Sequence, residues 1–161
     1  MLEKLSNIIK KISEVISVIF LAIITSVTLT QIFYRYVLGN ALDWPEEVAR
    51  YALIWMVLLS FNIIAQEDKN IAVTIVSKKI PDNIKYFIDI LLEILKLLFA
   101  AMLIYHGYQK TKIGWMITSP ALQIKRAWVY YAIPVGSSLL FYQVIVRIKK
   151  KLSHLIEKGD R

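Results

Sequence analysis

The chain reads as an all-α membrane protein with four transmembrane helices, and three observations place it there. Of its 161 residues 57% are hydrophobic and the mean hydropathy is +0.54, far above an ordinary soluble domain. Two long runs, 15–34 and 127–146, hold no charged residue, and each has about the twenty residues that a helix needs to cross the hydrocarbon core. Lysine and arginine collect at the ends of the apolar runs, as anchors at a membrane surface do. The expected organisation is one membrane domain, 1–161, with spans of about 12–38, 44–66, 86–109 and 127–148, and room for one short interfacial helix in the second loop.

The amino end carries Lys4, Lys10 and Lys11 among Leu2, Leu5, Ile8, Ile9 and Ile12, a basic amphipathic lead-in expected to lie on an anionic inner leaflet. The first span follows. A secretory signal shares such a start, but its apolar core is shorter and ends at a small-x-small cleavage site, which residues 25–33 do not offer, so the helix is expected to be retained. Gly39 and Asn40 tolerate positive φ and so end it, with Tyr34, Tyr36 and Trp44 set as an aromatic belt.

The second helix is expected from Trp44 to Gln66. Asp43 stands three residues before Glu46, the spacing of a capping box, so its side chain is expected to accept from the first free amides of the helix. Pro45 falls in the first turn, where its missing N–H costs nothing. Glu46 and Glu47 sit at the positive end of the helix, and Arg50 is within reach of either carboxylate at i+4 and i+3. Two readings stand side by side: a well-started helix with a surface ion pair worth a few tenths of a kcal/mol, or a docking surface for another protein. The charge-free part, 51–66, is short for a crossing, so Arg50 is expected to reach for the surface.

Residues 67–85 are polar at both ends, with Ile71, Ile75 and Ile80 beside Lys78 and Lys79, a weak surface-helix pattern ended by Pro81-Asp82-Asn83. The third span lies between Lys85 and Lys110. Its uncharged part, 97–109, cannot cross alone, so Asp89, Glu93 and Lys96 enter the membrane region. At 100° per residue these three share a face with Ala100, while Leu91, Leu95, Leu98 and Met102 take the other. Ionisable groups at that depth are costly against lipid and are expected to face protein or water. The third loop carries Lys110, Lys112, Lys125 and Arg126 and no acid, with Ser119-Pro120 breaking any helix. In the last span Pro134 removes the hydrogen bond that the Tyr130 carbonyl would accept, and Gly136-Ser137-Ser138 keeps the next turn thin, which predicts a kink and close packing on another helix.

The amino end, second loop and tail hold three, four and six Lys and Arg residues, against two and four in the first and third loops. Both termini are therefore expected in the cytoplasm, in a multi-pass arrangement. The net charge of +8 follows this anchoring pattern rather than a nucleic-acid surface, so membrane lipids and no nucleic acid are the expected contacts. There is no cysteine, and the two histidines, His106 and His154, lie at opposite ends of the membrane, so a bis-His haem cannot be built within the chain. No Gly-rich phosphate loop and no Ser–His–Asp set can be assembled, and no catalytic role, cofactor or metal is expected.

Gln31, Arg35-Tyr36, Trp44-x-Glu46-Glu47-x-x-Arg50 and Trp55, followed by Ser119-Pro120-Ala121-Leu122, Trp128, Tyr131 and Pro134-x-Gly136, resemble in order the signature of the small membrane subunit of tripartite ATP-independent periplasmic (TRAP) transporters. The chain departs from that pattern at Ser60-Phe61-Asn62, where the family often has a glycine, and at Asn70 and Thr74, where it often has a histidine and an acid. The resemblance implies a large membrane subunit that carries a carboxylate-bearing substrate by sodium-coupled symport, and a periplasmic substrate-binding protein that delivers it. This chain would then be an accessory, non-catalytic subunit that scaffolds the large one and helps dock the binding protein. Arg35, Asp43, Glu46, Glu47 and Arg50 in the first loop, and Lys110, Lys112, Lys125 and Arg126 in the third, are the expected docking residues, and Asp89, Glu93 and Lys96 the expected contact with the large subunit. The alternative is a self-associating small membrane protein, a channel or assembly factor, whose Asp89–Glu93–Lys96 face meets its own copies.

Overall fold

The first helix, α1 (Leu2–Tyr36), is unbroken for 35 residues, about 50 Å of rise against a hydrocarbon core of about 30 Å. In the computed structural model, which describes residues 2–67 and 82–159, it is followed by α2 (Trp44–Gln66), α3 (Asp82–Gly114), the single turn α4 (Ala127–Tyr130) and α5 (Ala132–Gly159). α1 packs along α2, while α2 and α3 each pack along α5. Among the described residues three helical stretches are long and apolar enough to cross a membrane: Glu3–Tyr36, Trp44–Gln66 and Ala127–Lys151, the last being α4 and α5 together. The surface helix expected in the second loop, with Asn70 and Thr74, lies outside the described residues.

Gly39 ends α1 as its backbone freedom predicts. It takes φ +64°, and the Asn40 amide turns back to the Tyr34 carbonyl at 3.1 Å. The basic lead-in is continuous with the first span rather than a separate element. It forms the first part of α1, and its polar residues find partners inside the bundle. Ser6 is buried, donates to Gln143 of α5 and accepts from Gln66 of α2 at 3.1 Å, and Gln66 also donates to Asn7 at 2.5 Å. One turn further in, the Asn62 amide donates to the buried Ser13 hydroxyl at 2.8 Å. Bonds of this kind average only about 0.6 kcal/mol in a bilayer, but they select the register of helices whose apolar faces lipid suits equally well.

Near the same end, α3 meets α5 through charge. Glu93 is 1% exposed, and its Oε1 lies 3.1 Å from Arg147 Nε, 3.4 Å from Lys96 Nζ and 3.6 Å from Lys151 Nζ. Lys151 also approaches Asp89 at 3.8 Å, and Arg147 donates to the Ala65 carbonyl of α2 at 2.8 Å. The two faces of α3 separate as its spacing predicts, Ala100 being fully buried and Leu98 and Met102 57% and 61% exposed. The charged face also finds partners within the chain: Glu93 pairs with Arg147 and Lys151 of α5, Asp89 with Lys151, and Lys96 with Glu93 itself. The tail's cluster of basic residues has the pattern of a cytoplasmic anchor, and that pattern carries no sign of the inward-facing partners Arg147 and Lys151.

Pro134 breaks the last helix one turn upstream of itself, at Tyr131, where α4 ends and α5 is about to begin. A proline is tolerated in the first turn of a helix, so restarting at Ala132 absorbs it. Gly136 then lies against α2 so closely that a Cβ there would sit 2.8 Å from Leu58 Cβ and 2.9 Å from its carbonyl oxygen. Small residues at such crossings let membrane helices approach.

Candidate functional site

Glu47 is the residue on which the other end of the bundle closes. It is 8% exposed, although it stands in the first turn of a helix beside the exposed Glu46. Its Oε2 accepts from the backbone amides of Ala121, at 3.1 Å, and Leu122, at 2.9 Å, and its Oε1 accepts from the Tyr51 hydroxyl one turn along α2. One carboxylate thus ties the start of α2 to the tip of the α3–α4 connection.

That connection is a small hairpin. Ser119 N–H donates to the Ile124 carbonyl at 2.8 Å, Arg126 N–H to that of Ile117 at 3.0 Å, and Thr118 and Lys125 form an antiparallel bridge. Pro120 holds the preceding residue extended, Gln123 takes the turn at φ +56°, and its amide donates to the Pro120 carbonyl at 2.8 Å. The turn leaves the Ala121 and Leu122 amides pointing away from the hairpin, and Glu47 receives both. Bonds from backbone amides to a carboxylate are about twice as strong as neutral ones.

Between the end of α1, the start of α2 and this hairpin lies a cleft of about 690 Å³. Gln31, Arg35, Asp43, Glu46, Glu47, Arg50, Tyr51, Arg126 and Tyr130 line it, with Ile54 and Val129 as apolar wall. Arg50 pairs with Glu46 at 2.5 Å, both of them exposed, so the pair is worth at most a few tenths of a kcal/mol. Asp43 does not cap α2 with its side chain. Its backbone is helical, φ −87° and ψ −31°, rather than in the extended conformation that aims a capping side chain at the first amides, and Glu46 turns to Arg50 instead of closing a capping box. Pro45 occupies the first turn as expected.

Of the residues assigned to docking, Arg35, Asp43, Glu46, Glu47, Arg50 and Arg126 come together around the cleft. Lys110 and Lys112 do not: α3 runs on to Gly114, placing them on its last turns, where Lys112 sits 4.6 Å from the centre of the Tyr108 ring. Lys125 lies on the hairpin with its Nζ 3.3 Å from Thr118 Oγ1. Tyr51 and Tyr130 were not singled out from the sequence, although Tyr51 follows Glu47 at the i+4 spacing that makes helical neighbours. Among the described residues no group of three or more His, Asp or Glu could hold a metal ion.

Apolar helices of membrane-crossing length, joined through buried polar and ionic contacts and carrying a charged cleft at one end, define a multi-pass helical membrane protein. Residues 24–154 match the family described as "Tripartite ATP-independent periplasmic transporters, DctQ component", and the chain belongs to that family, the small membrane subunits of TRAP transporters. It is 29% identical over 147 residues to the "Sialic acid TRAP transporter small permease protein SiaQ" of Vibrio cholerae, covering 91% of this chain and 85% of that one. It is 28% identical over 133 residues to the "Isethionate TRAP transporter permease protein DctMQ" of Oleidesulfovibrio alaskensis, covering 78% of this chain but 21% of that longer protein. With the "Sialic acid TRAP transporter permease protein SiaT" of Haemophilus influenzae it shares 20% over 137 residues, 85% of this chain and 22% of the other.

Proposed function

We propose that the chain is the accessory, non-catalytic subunit of a sodium-coupled TRAP transporter for carboxylate-bearing substrates. In this reading it sits in the bacterial inner membrane with both termini in the cytoplasm, scaffolds the large membrane subunit and helps dock the periplasmic substrate-binding protein. The family match over residues 24–154 carries the proposal. Two relatives hold the matching stretch as 21% and 22% of one longer permease chain, which favours a large partner close enough to be covalently joined. Relatives named for sialic acid and isethionate favour an organic acid as cargo.

The fourth crossing is α3. Its outward face is apolar, and its charges are screened by α5, so it can pass through lipid despite Glu93. Asp89 and Lys96 keep 22% and 32% of their side chains exposed, so on this face they, rather than Glu93, are left to meet the large subunit. The cleft faces the periplasm, lined by Arg35, Asp43, Glu46, Glu47, Arg50 and Arg126, with Lys125 on the adjoining hairpin.

Reconstitution tests the reading. Vesicles holding the large subunit with this chain should take up substrate in a manner that depends on both sodium and binding-protein concentration, and vesicles lacking this chain should not. Uptake of equal rate without it would refute the accessory role. The orientation has its own check, because the chain has no cysteine of its own. Single cysteines at Asp43 and Ile124 should react with an impermeant thiol reagent from the periplasm, and those at Lys4 and Lys150 only after the inner membrane is opened. The reverse pattern would invert the topology and place the cleft in the cytoplasm.

A further inference from the structure

The carboxylates of the cleft are largely engaged within the chain, and two of its guanidinium groups are not. Glu46 is held by Arg50 at 2.5 Å, and Glu47 is turned inward onto the Ala121 and Leu122 amides. Among the described residues Arg35 has the face of Tyr36, 5.7 Å from its guanidinium carbon, and no acidic partner, and the Arg126 side chain likewise has none. Both line the same cleft. A stacked guanidinium still presents its N–H edge, and an arginine fork matches a carboxylate with two parallel hydrogen bonds. Against these two arginines the rim offers one open carboxylate, Asp43, which makes no capping bond.

We propose that the cleft receives an acidic side chain of the soluble substrate-binding protein, held between Arg35 and Arg126; this rests on the docking role proposed above. A protein surface fits better than a free small anion because the positive charge continues past the cleft to Lys125, next to Arg126 on the hairpin. A field spread over that area steers an extended acidic face. The apolar wall of Ile54 and Val129 lowers the local dielectric where the carboxylate enters, which strengthens the pairing.

The test uses the assembled transporter in vesicles, with uptake measured against binding-protein concentration at two salt levels. Arg35→Ala with Arg126→Ala should raise the half-saturating concentration by roughly tenfold to a hundredfold, leave the maximal rate unchanged and flatten the salt dependence. Arg35→Lys with Arg126→Lys should fall between, since charge survives and the fork is lost. Co-purification with the large subunit should be unaffected in all of these variants. A charge swap gives the strongest support: Arg35→Glu with Arg126→Glu should be rescued by Arg at one acidic position of the binding protein. Wild-type concentration and salt dependence in the double-alanine variant would overturn the inference and leave the docking role standing. Wild-type uptake that ignores binding-protein concentration would overturn both. Sodium acetate titrated onto the complex, with a heat of binding that vanishes in the double-alanine variant, would mark a small-anion site and overturn the docking occupant.

Discussion

Glu93→Leu destabilises the chain in detergent by about 3–5 kcal/mol. The carboxylate is 1% exposed and is the shared anion for Arg147, Lys96 and Lys151, so its removal leaves an excess of positive charge between α3 and α5. The cost comes mainly from what is left behind. Replacing Glu93 and Arg147 together by Leu should therefore recover most of the loss, because a buried pair exchanged for well-packed apolar side chains is often close to neutral. Thermal and denaturant unfolding of the two single variants and the double one form the cycle that isolates the coupling. A loss below about 1 kcal/mol for Glu93→Leu alone would mean that the cluster is wet and weakly coupled.

Glu47→Ala releases the hairpin at the other end of the bundle. Two backbone amides and the Tyr51 hydroxyl, all partly buried, lose their acceptor, and each such donor left unsatisfied costs about 1 kcal/mol, the low end of the range for buried groups. The loss is local, because the hairpin can open without separating α2 from α5. Amide hydrogen exchange at Ala121 and Leu122 should then quicken by roughly thirtyfold to a hundredfold, and docking that depends on Arg126 should weaken with it. Glu47→Gln should do less, since one carbonyl oxygen still accepts. Glu46→Ala, one residue away, should change exchange at these amides hardly at all, because Glu46 has only the exposed Arg50 as partner. Equal exchange in the Glu46 and Glu47 variants would show that the carboxylate does not hold the hairpin.

The contrast between Glu46 and Glu47 marks where reading the sequence stops. Both are acids in the first turn of one helix, equally favoured by its dipole, and the capping-box spacing from Asp43 points to Glu46 rather than to Glu47. What separates them is a turn 74 residues further on, whose amides happen to face one and not the other. Asp43 is the converse case, since a local rule predicted a cap that the backbone conformation at that residue denies.

Several features that depend on a single helix were legible in the residues alone: the long apolar runs, the stop at Gly39, the proline in the first turn of α2, and the separation of Glu93 and Ala100 from Leu98 and Met102. Periodicity and backbone freedom are properties of neighbouring residues, so they survive in one dimension. Which element answers each charged face was decided only by the tertiary structure. Arg147 and Lys151 read as lipid anchors until α5 is laid along α3, and Ser6 and Ser13 as part of a surface lead-in until α2 and α5 are set beside them. The physical reason is that lipid accepts any apolar face equally well. The pairing of helices is then set by a few polar contacts and close approaches, such as Gly136 on Leu58, whose partners lie far apart in the chain.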